Sequence, residues 1–348
     1  MTTPMTSTGH QRLPLEKLKA WEALGYGMFI HFGMSTFDGD ELSAGDKPST
    51  LYNPDRLDVD QWVSIIRDAG MKYAVLTAKH VSGHCLWPTA QTDYHVGTSG
   101  NPTDVVEAFV KACEKRGILP GLYYCSWDNH NRFGSLTESD CTKIEREQPF
   151  KVGTQPKQPY TTRAYEEFQS AQLEELLTRY GQIAQVWIDI PHALTADYRQ
   201  RLYQQIVGWQ PETVIMMNNG IGNGSELKLH GAWPTDLISI ERFLPPSKDG
   251  HVVWRDIEGQ PYYLPGEVCE PIGREWFYAE HDAPRSDAEL LGMYLVTRSR
   301  GANLLLDVGP DKHGLIPQAT TDALMRLRDN IERFSSLPTS SPSKANPA

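Results

Sequence analysis

Short apolar runs alternate with amphipathic segments along most of the chain, and this alternation is what most constrains its fold. Seven runs read as strands: Gly27–Phe32, Tyr73–Thr77, Gly121–Tyr124, Ile183–Asp189, Thr213–Met217, Leu237–Ile240 and Asn303–Val308. Between them, Val59–Asp68, Val105–Lys115, Tyr165–Tyr180, Tyr198–Val207, Ala288–Arg298 and Thr320–Ile331 carry apolar residues at helical spacing. Strand–helix repetition of this kind predicts a parallel sheet covered by helices. Residues 250–270 leave room for an eighth strand. No Gly-rich dinucleotide loop follows the first strand, and polar residues recur at the carboxyl ends of the strands. A TIM-like (β/α) barrel of seven or eight strands is therefore expected rather than an open doubly wound sheet. Residues 1–14 read as a loose arm, 15–334 as the barrel and 335–348 as a disordered tail.

A barrel gathers its strand ends on one face, so the residues found there are the candidate site. His31 ends the first strand, Lys79 and His80 the second. Ser126, Trp127 and Asp128 follow the third. Asp189 and His192 follow the fourth, Asn218 and Asn219 the fifth, Glu241 the sixth, and Asp307 lies in the last. Singly, each is an ordinary capping or turn residue. Together they place two carboxylates, histidines and aromatic rings on one rim, the equipment for cleaving a glycosidic bond.

Bulk properties narrow the partner. The formal charge of -11 disfavours nucleic acid and anionic membranes, which need a basic surface, and suits a neutral or cationic small molecule. Five cysteines, an odd number with no CxxC, point to neither a disulfide framework nor a structural zinc site. The polar start MTTPMTSTGHQRLP and the absence of a long apolar run predict a cytoplasmic protein.

Five segments in order carry a family resemblance: GMFIHFG (27–33), AGMKYAVLTAKHVSGHCLWPTAQTDYHV (69–96), GLYYCSWD (121–128), YGQIAQVWIDI (180–190) and GANLLLDVGPDKHGLIP (301–317). The chain resembles the glycoside hydrolase family 29 α-L-fucosidases over nearly all of residues 20–334. The resemblance implies a barrel, a two-step retaining mechanism without metal or cofactor, and a small fucosylated glycan or glycoside as substrate. Asp189 falls on the family's nucleophile. The acid/base falls on Glu241, in DLISIERFLPP, with Glu267 and Glu270 as rivals. His31 and His80 fall on histidines that contact sugar hydroxyls. Tyr124, Trp187 and Trp276 are expected to wall the sugar's methyl group and ring face.

The chain also departs from the family pattern. Val81, Ser82 and His84 stand where His, Asp and Phe are usual in the family's K-H-H-D-G-F run. A Glu-Trp pair expected near 45–52 is missing, no Arg closely follows the fifth strand, and Asp307 replaces the usual Asn. These losses make a retaining glycosidase a firmer expectation than fucose. No C-terminal β-sandwich is expected, so barrel loops or a second subunit of a homo-oligomer should complete the pocket, with 128–162 as a lid. Two rival readings follow from the same residues. One is a non-catalytic sugar-binding protein, or a relative of altered specificity with weak or no fucosidase activity. The other is a metal-dependent barrel hydrolase using His80 and His84, for which HVSGH is a poor helical pair.

Overall fold

The computed structural model describes residues 9–131, 161–218, 220–222 and 229–336. Among the described residues there are ten strands: β1 (Tyr26–Ile30), β2 (Tyr73–Lys79), β3 (Leu119–Cys125), β4 (Gln185–Asp189), β5 (Val214–Asn218), β6 (Ile238–Glu241), β7 (Trp254–Ile257), β8 (Gln260–Tyr263), β9 (Gly266–Pro271) and β10 (Ala302–Val308). The helices are α1 (Leu15–Glu22), α2 (Met34–Asp38), α3 (Val59–Asp68), α4 (Val105–Arg116), α5 (Arg163–Arg179), α6 (Ala196–Trp209), α7 (Leu229–Ala232), α8 (Asp287–Ser299) and α9 (Gln318–Ser336). Side-chain caps fix where the covering helices begin. Asp58, Asp104, Thr162 and Thr195 each accept the N–H three residues on, and Ser286 with Glu289 forms a full capping box.

Eight strands form one parallel sheet in the order β5-β4-β3-β2-β1-β10-β9-β6, which curls into a nearly closed barrel. The eighth strand is β9, which starts inside the gap left at 250–270 and ends one residue past it. The rest of that gap is an antiparallel hairpin, β7–β8, leading into the start of β9. Alternate residues divide between two apolar clusters. Met28, Ile30, Leu76, Leu122, Val186, Ile188 and Leu306 pack outward under the helices. Phe29, Val75, Tyr123, Trp187, Met216 and Leu305 fill the barrel.

No strand ladder joins β5 to β6 among the described residues; one backbone bond, Asp236 N–H to Ile215 O at 2.8 Å, and several side chains close the seam. Met217 N–H donates to Thr235 Oγ1 at 3.1 Å, and Ile215 N–H to Asp236 Oδ2 at 2.9 Å. Arg12 fastens the same place: its guanidinium donates to Asp236 Oδ2 and to Thr213 O, both at 2.6 Å. Of the stretch read as a loose arm, residues 9–14 are thus tied down, with Leu13 buried against the barrel. Cys85, Cys113, Cys125 and Cys269 are buried free thiols, and Cys141 lies outside the described residues. Most of the lid expected at 128–162 also falls outside them.

Candidate functional site

Asp189 is the last residue of β4. Gln185 and Trp187 precede it on the same face, so its carboxylate points into the barrel mouth. Ile190 then adopts a left-handed φ of 53°, and Pro191 ends the strand. The register Asp189↔Asn218 puts the neighbouring strand's last residue beside it. Tyr123 Oη donates to Asp189 Oδ2 at 2.6 Å, and Asn218 Nδ2 to Oδ1 at 2.7 Å. Burial raises the Asp189 pKa, while these donors and the Ile190 N–H pull it back.

The same Asn218 nitrogen donates its second hydrogen to Glu241 Oε2 at 2.8 Å. Its Oδ1 accepts the Gly220 N–H at 3.1 Å, which fixes the amide orientation. Two bonds of 2.7 and 2.8 Å to one nitrogen cap the separation of the two carboxylate oxygens at about 5.5 Å. Burial pushes the Glu241 carboxyl up to about 7, and the charge of Asp189 adds to the push; Asn218 and Arg242 oppose it. One acid is thus held by two side-chain donors. The other, close by, is disposed to keep its proton, and environments that pull two carboxyls apart in this way separate a nucleophile from an acid.

Around this pair stand rings. His31 Nδ1 meets Asp307 Oδ1 at 2.6 Å, and both side chains are buried. Burial disfavours charge on either partner, lowering the imidazole and raising the carboxyl. His31 packs against Trp276 at 5.1 Å between centroids, against Phe277 at 5.2 Å and against His80 at 5.6 Å. His80 stacks on Tyr123 at 5.6 Å. Arg242, with a left-handed φ of 60°, lays its guanidinium over Trp276 at 4.6 Å and donates to Arg274 O at 2.8 Å. Its charge acts on Glu241, His31 and Asp307. Glu41 faces the same group. Burial pushes its carboxyl up to about 7, with Arg242 opposing and Glu275, Asp307 and Asp189 adding to the push.

The α-L-fucosidase family model matches residues 46–333. The chain is 30% identical to α-L-fucosidase 1 of Arabidopsis thaliana over 88% of its own length and 58% of that protein's. A Bacteroides thetaiotaomicron crystal structure, described as a candidate α-L-fucosidase, superposes with a TM-score of 0.76 at 29% identity, covering 97% of this chain and 71% of that one. α-L-Fucosidase isoenzyme 1 of Paenibacillus thiaminolyticus gives 0.73 at 26% identity, covering 91% and 75%. The chain belongs to the α-L-fucosidase family. It spans a little over half the length of the curated relatives it matches.

As a member of the α-L-fucosidase family, the chain brings together Asp189, Glu241, His31, His80 and Trp276, and leaves other expected residues outside the site. Tyr124 is a correction. Its ring packs on the helix side, where its hydroxyl donates to Gln172 of α5 at 2.8 Å and Lys79 Nζ lies 4.2 Å from the ring. Tyr123, one position earlier, faces inward. Trp187 is a second correction: it lies beneath the site rather than walling it. Its indole N–H donates to Glu267 at 2.8 Å and its ring stacks on Tyr123 at 5.8 Å.

Glu267 also accepts from Tyr73 and Gln185, near the strand starts, so it is a core acceptor far from the mouth. Glu270 pairs with Arg285 at 3.2 Å. Lys79 is spent in a fully buried ion pair with Asp128 at 2.6 Å. His80 and His84 do not converge: His84 stacks on Tyr52 and meets Ser49, while His80 faces His31 and Tyr123. Asn219 lies outside the described residues.

Four contributors were missed in the sequence, one of them Phe277 beside the expected Trp276. Arg242 follows the sixth strand, not the fifth, and its adjacency to Glu241 was the available signal. Tyr123 was hidden by a one-residue error of phase. Glu41 sits in a loop with no periodic pattern.

Proposed function

We propose that this chain is a retaining exo-α-L-fucosidase in which Asp189 is the nucleophile and Glu241 the acid/base. The observation that carries this reading is the single Asn218 amide bonded to both carboxylates. An inverting pair leaves roughly 6.5–9.5 Å for a water, whereas a retaining pair stands roughly 5–5.5 Å apart.

In the first step an Asp189 oxygen attacks C1 of the sugar as the C1–O bond to the leaving group breaks. The electron pair of that bond goes to the leaving oxygen, which takes the Glu241 proton. In the second step water attacks C1 of the fucosyl-Asp189 ester, gives a proton to Glu241 and releases Asp189. Tyr123 and Asn218 keep Asp189 aimed and ionised, while burial beside Asp189 keeps Glu241 protonated. His31 and His80 offer polar edges to sugar hydroxyls, with Trp276 and Phe277 as apolar surface beside them.

Hydrolysis of 4-nitrophenyl α-L-fucoside, compared with aryl galactosides and glucosides, tests this reading. Nitrophenol released from the fucoside supports it. Sugar binding without release from any aryl glycoside contradicts it and favours a binding protein.

A further inference from the structure

Among the described residues, eight large apolar side chains are exposed, and three of them flank Glu241 or the residue bridged to it. Phe243 is 48% exposed, Leu244 37% and Ile221 41%. Gly222 N–H donates to Glu241 O at 3.2 Å in an antiparallel bridge, which brings Ile221 alongside the start of the Arg242–Leu244 segment. The left-handed turn at Arg242 sends its guanidinium over Trp276, while Phe243 and Leu244 next to it stay in solvent. By contrast, exposed Trp254 and Val252 belong to the hairpin region leading into the start of β9, at the opposite end of the barrel. Apolar surface grouped beside a reactive group marks a binding surface more often than scattered exposed residues do.

We infer that Ile221, Phe243 and Leu244 form the subsite for the leaving group, and that it takes an aglycone presenting a flat apolar face. The inference rests on Glu241 as the proton donor: the oxygen it protonates carries the aglycone, so the aglycone must lie on the Glu241 side of the sugar. An aryl ring and the apolar face of a second sugar share the required chemistry. Asp189 ends β4, and His31 and His80 directly follow β1 and β2; the proposed function assigns these three to the sugar itself, so this rim acts on the leaving group alone. Phe243 is the most exposed of the three and lies in a short exposed segment, so its truncation removes contact surface without opening the core.

The test compares substrates with and without an aglycone. kcat/KM is measured for 4-nitrophenyl α-L-fucoside, for an α-L-fucosyl disaccharide and for α-L-fucosyl fluoride, whose leaving group is one atom. For Phe243→Ala and the double variant I221S/F243S, the ratio of aryl fucoside to fluoride kcat/KM falls about tenfold, mainly through KM, the size expected for a lost apolar contact. A parallel fall in the disaccharide-to-fluoride ratio identifies a sugar as a further occupant; an unchanged disaccharide ratio restricts the site to aryl groups. Ratios unchanged for both aglycones overturn the inference. Failure of the unsubstituted protein to hydrolyse all three substrates instead overturns the fucosidase reading, so the two failures are distinguishable.

Discussion

His31, directly after β1, and Asp307, on the adjacent strand β10, form a buried dyad, Nδ1 to Oδ1 at 2.6 Å. The carboxyl fixes the ring plane, which under the proposed function aims Nε2 at a sugar hydroxyl. Asp307→Ala leaves the imidazole unanchored and a buried polar atom unpaired, a loss of about 1–3 kcal/mol. That cost falls on folding stability; the unanchored ring separately lowers kcat/KM, by up to about 100-fold, the scale of a misplaced positioning group. Asp307→Asn keeps an acceptor at that position and loses less. Equal losses in the two variants contradict the positioning role.

The pH profile follows from the two carboxyls. Glu241 must hold its proton in the first step and is pushed up to about 7, so kcat/KM falls as pH rises through about 7. Asp189 must be ionised, and burial raises its pKa, so activity also falls on the acid side, above where an ordinary aspartate would titrate. Glu241→Gln abolishes the alkaline limb on an activated aryl fucoside, and a limb that persists assigns the acid elsewhere.

Tyr123 and Tyr124 separate the two faces of β3. Tyr123→Phe removes a donor from Asp189, moves the acid limb to higher pH and lowers kcat/KM about tenfold, consistent with a hydrogen bond to a charged group worth roughly 1.5–3 kcal/mol. Tyr124→Phe loses only its bond to Gln172 and leaves the acid limb in place. Thermal melts and pH profiles of both variants check this.

The carboxyl pair should cost stability. Glu241 is neutral in folded and unfolded chains well below pH 4.5; between 4.5 and about 7 the unfolded chain releases its proton while the folded one holds it. Its contribution to stability therefore declines as pH rises across that window. Glu241→Gln is expected to raise Tm at pH 8 relative to the parent by about 2–4 °C, the shift that roughly 1 kcal/mol gives in a large domain. Little difference is expected at pH 4. Equal effects at both pH values would show that the change acts through packing alone.

The barrel was legible because parallel strands buried on both faces leave long apolar runs, and Asp189 and Glu241 were legible because each ends such a run. Inward or outward placement was less so. The register of β2 shifts between Thr77 and Lys79, which turns Lys79 outward to Asp128 and returns His80 to the mouth. In β3 every position from Gly121 to Cys125 is buried, so hydrophobicity alone does not tell Tyr123 from Tyr124. The carboxyls of Glu267 and Glu241 differ in depth along the barrel, which strand phase cannot reveal. Asn218 gained its meaning only when β5 and β6 met at a seam that no local pattern encodes.

Incubation with 2-deoxy-2-fluoro-α-L-fucosyl fluoride, followed by proteolysis and mass spectrometry, tests the central claim most directly. A retained fluorofucosyl group on the peptide containing Asp189, lost with return of activity on prolonged incubation, is the predicted result. Turnover without any covalent adduct, with the inverted sugar as the first-formed product, or an adduct on a peptide lacking Asp189, would contradict it.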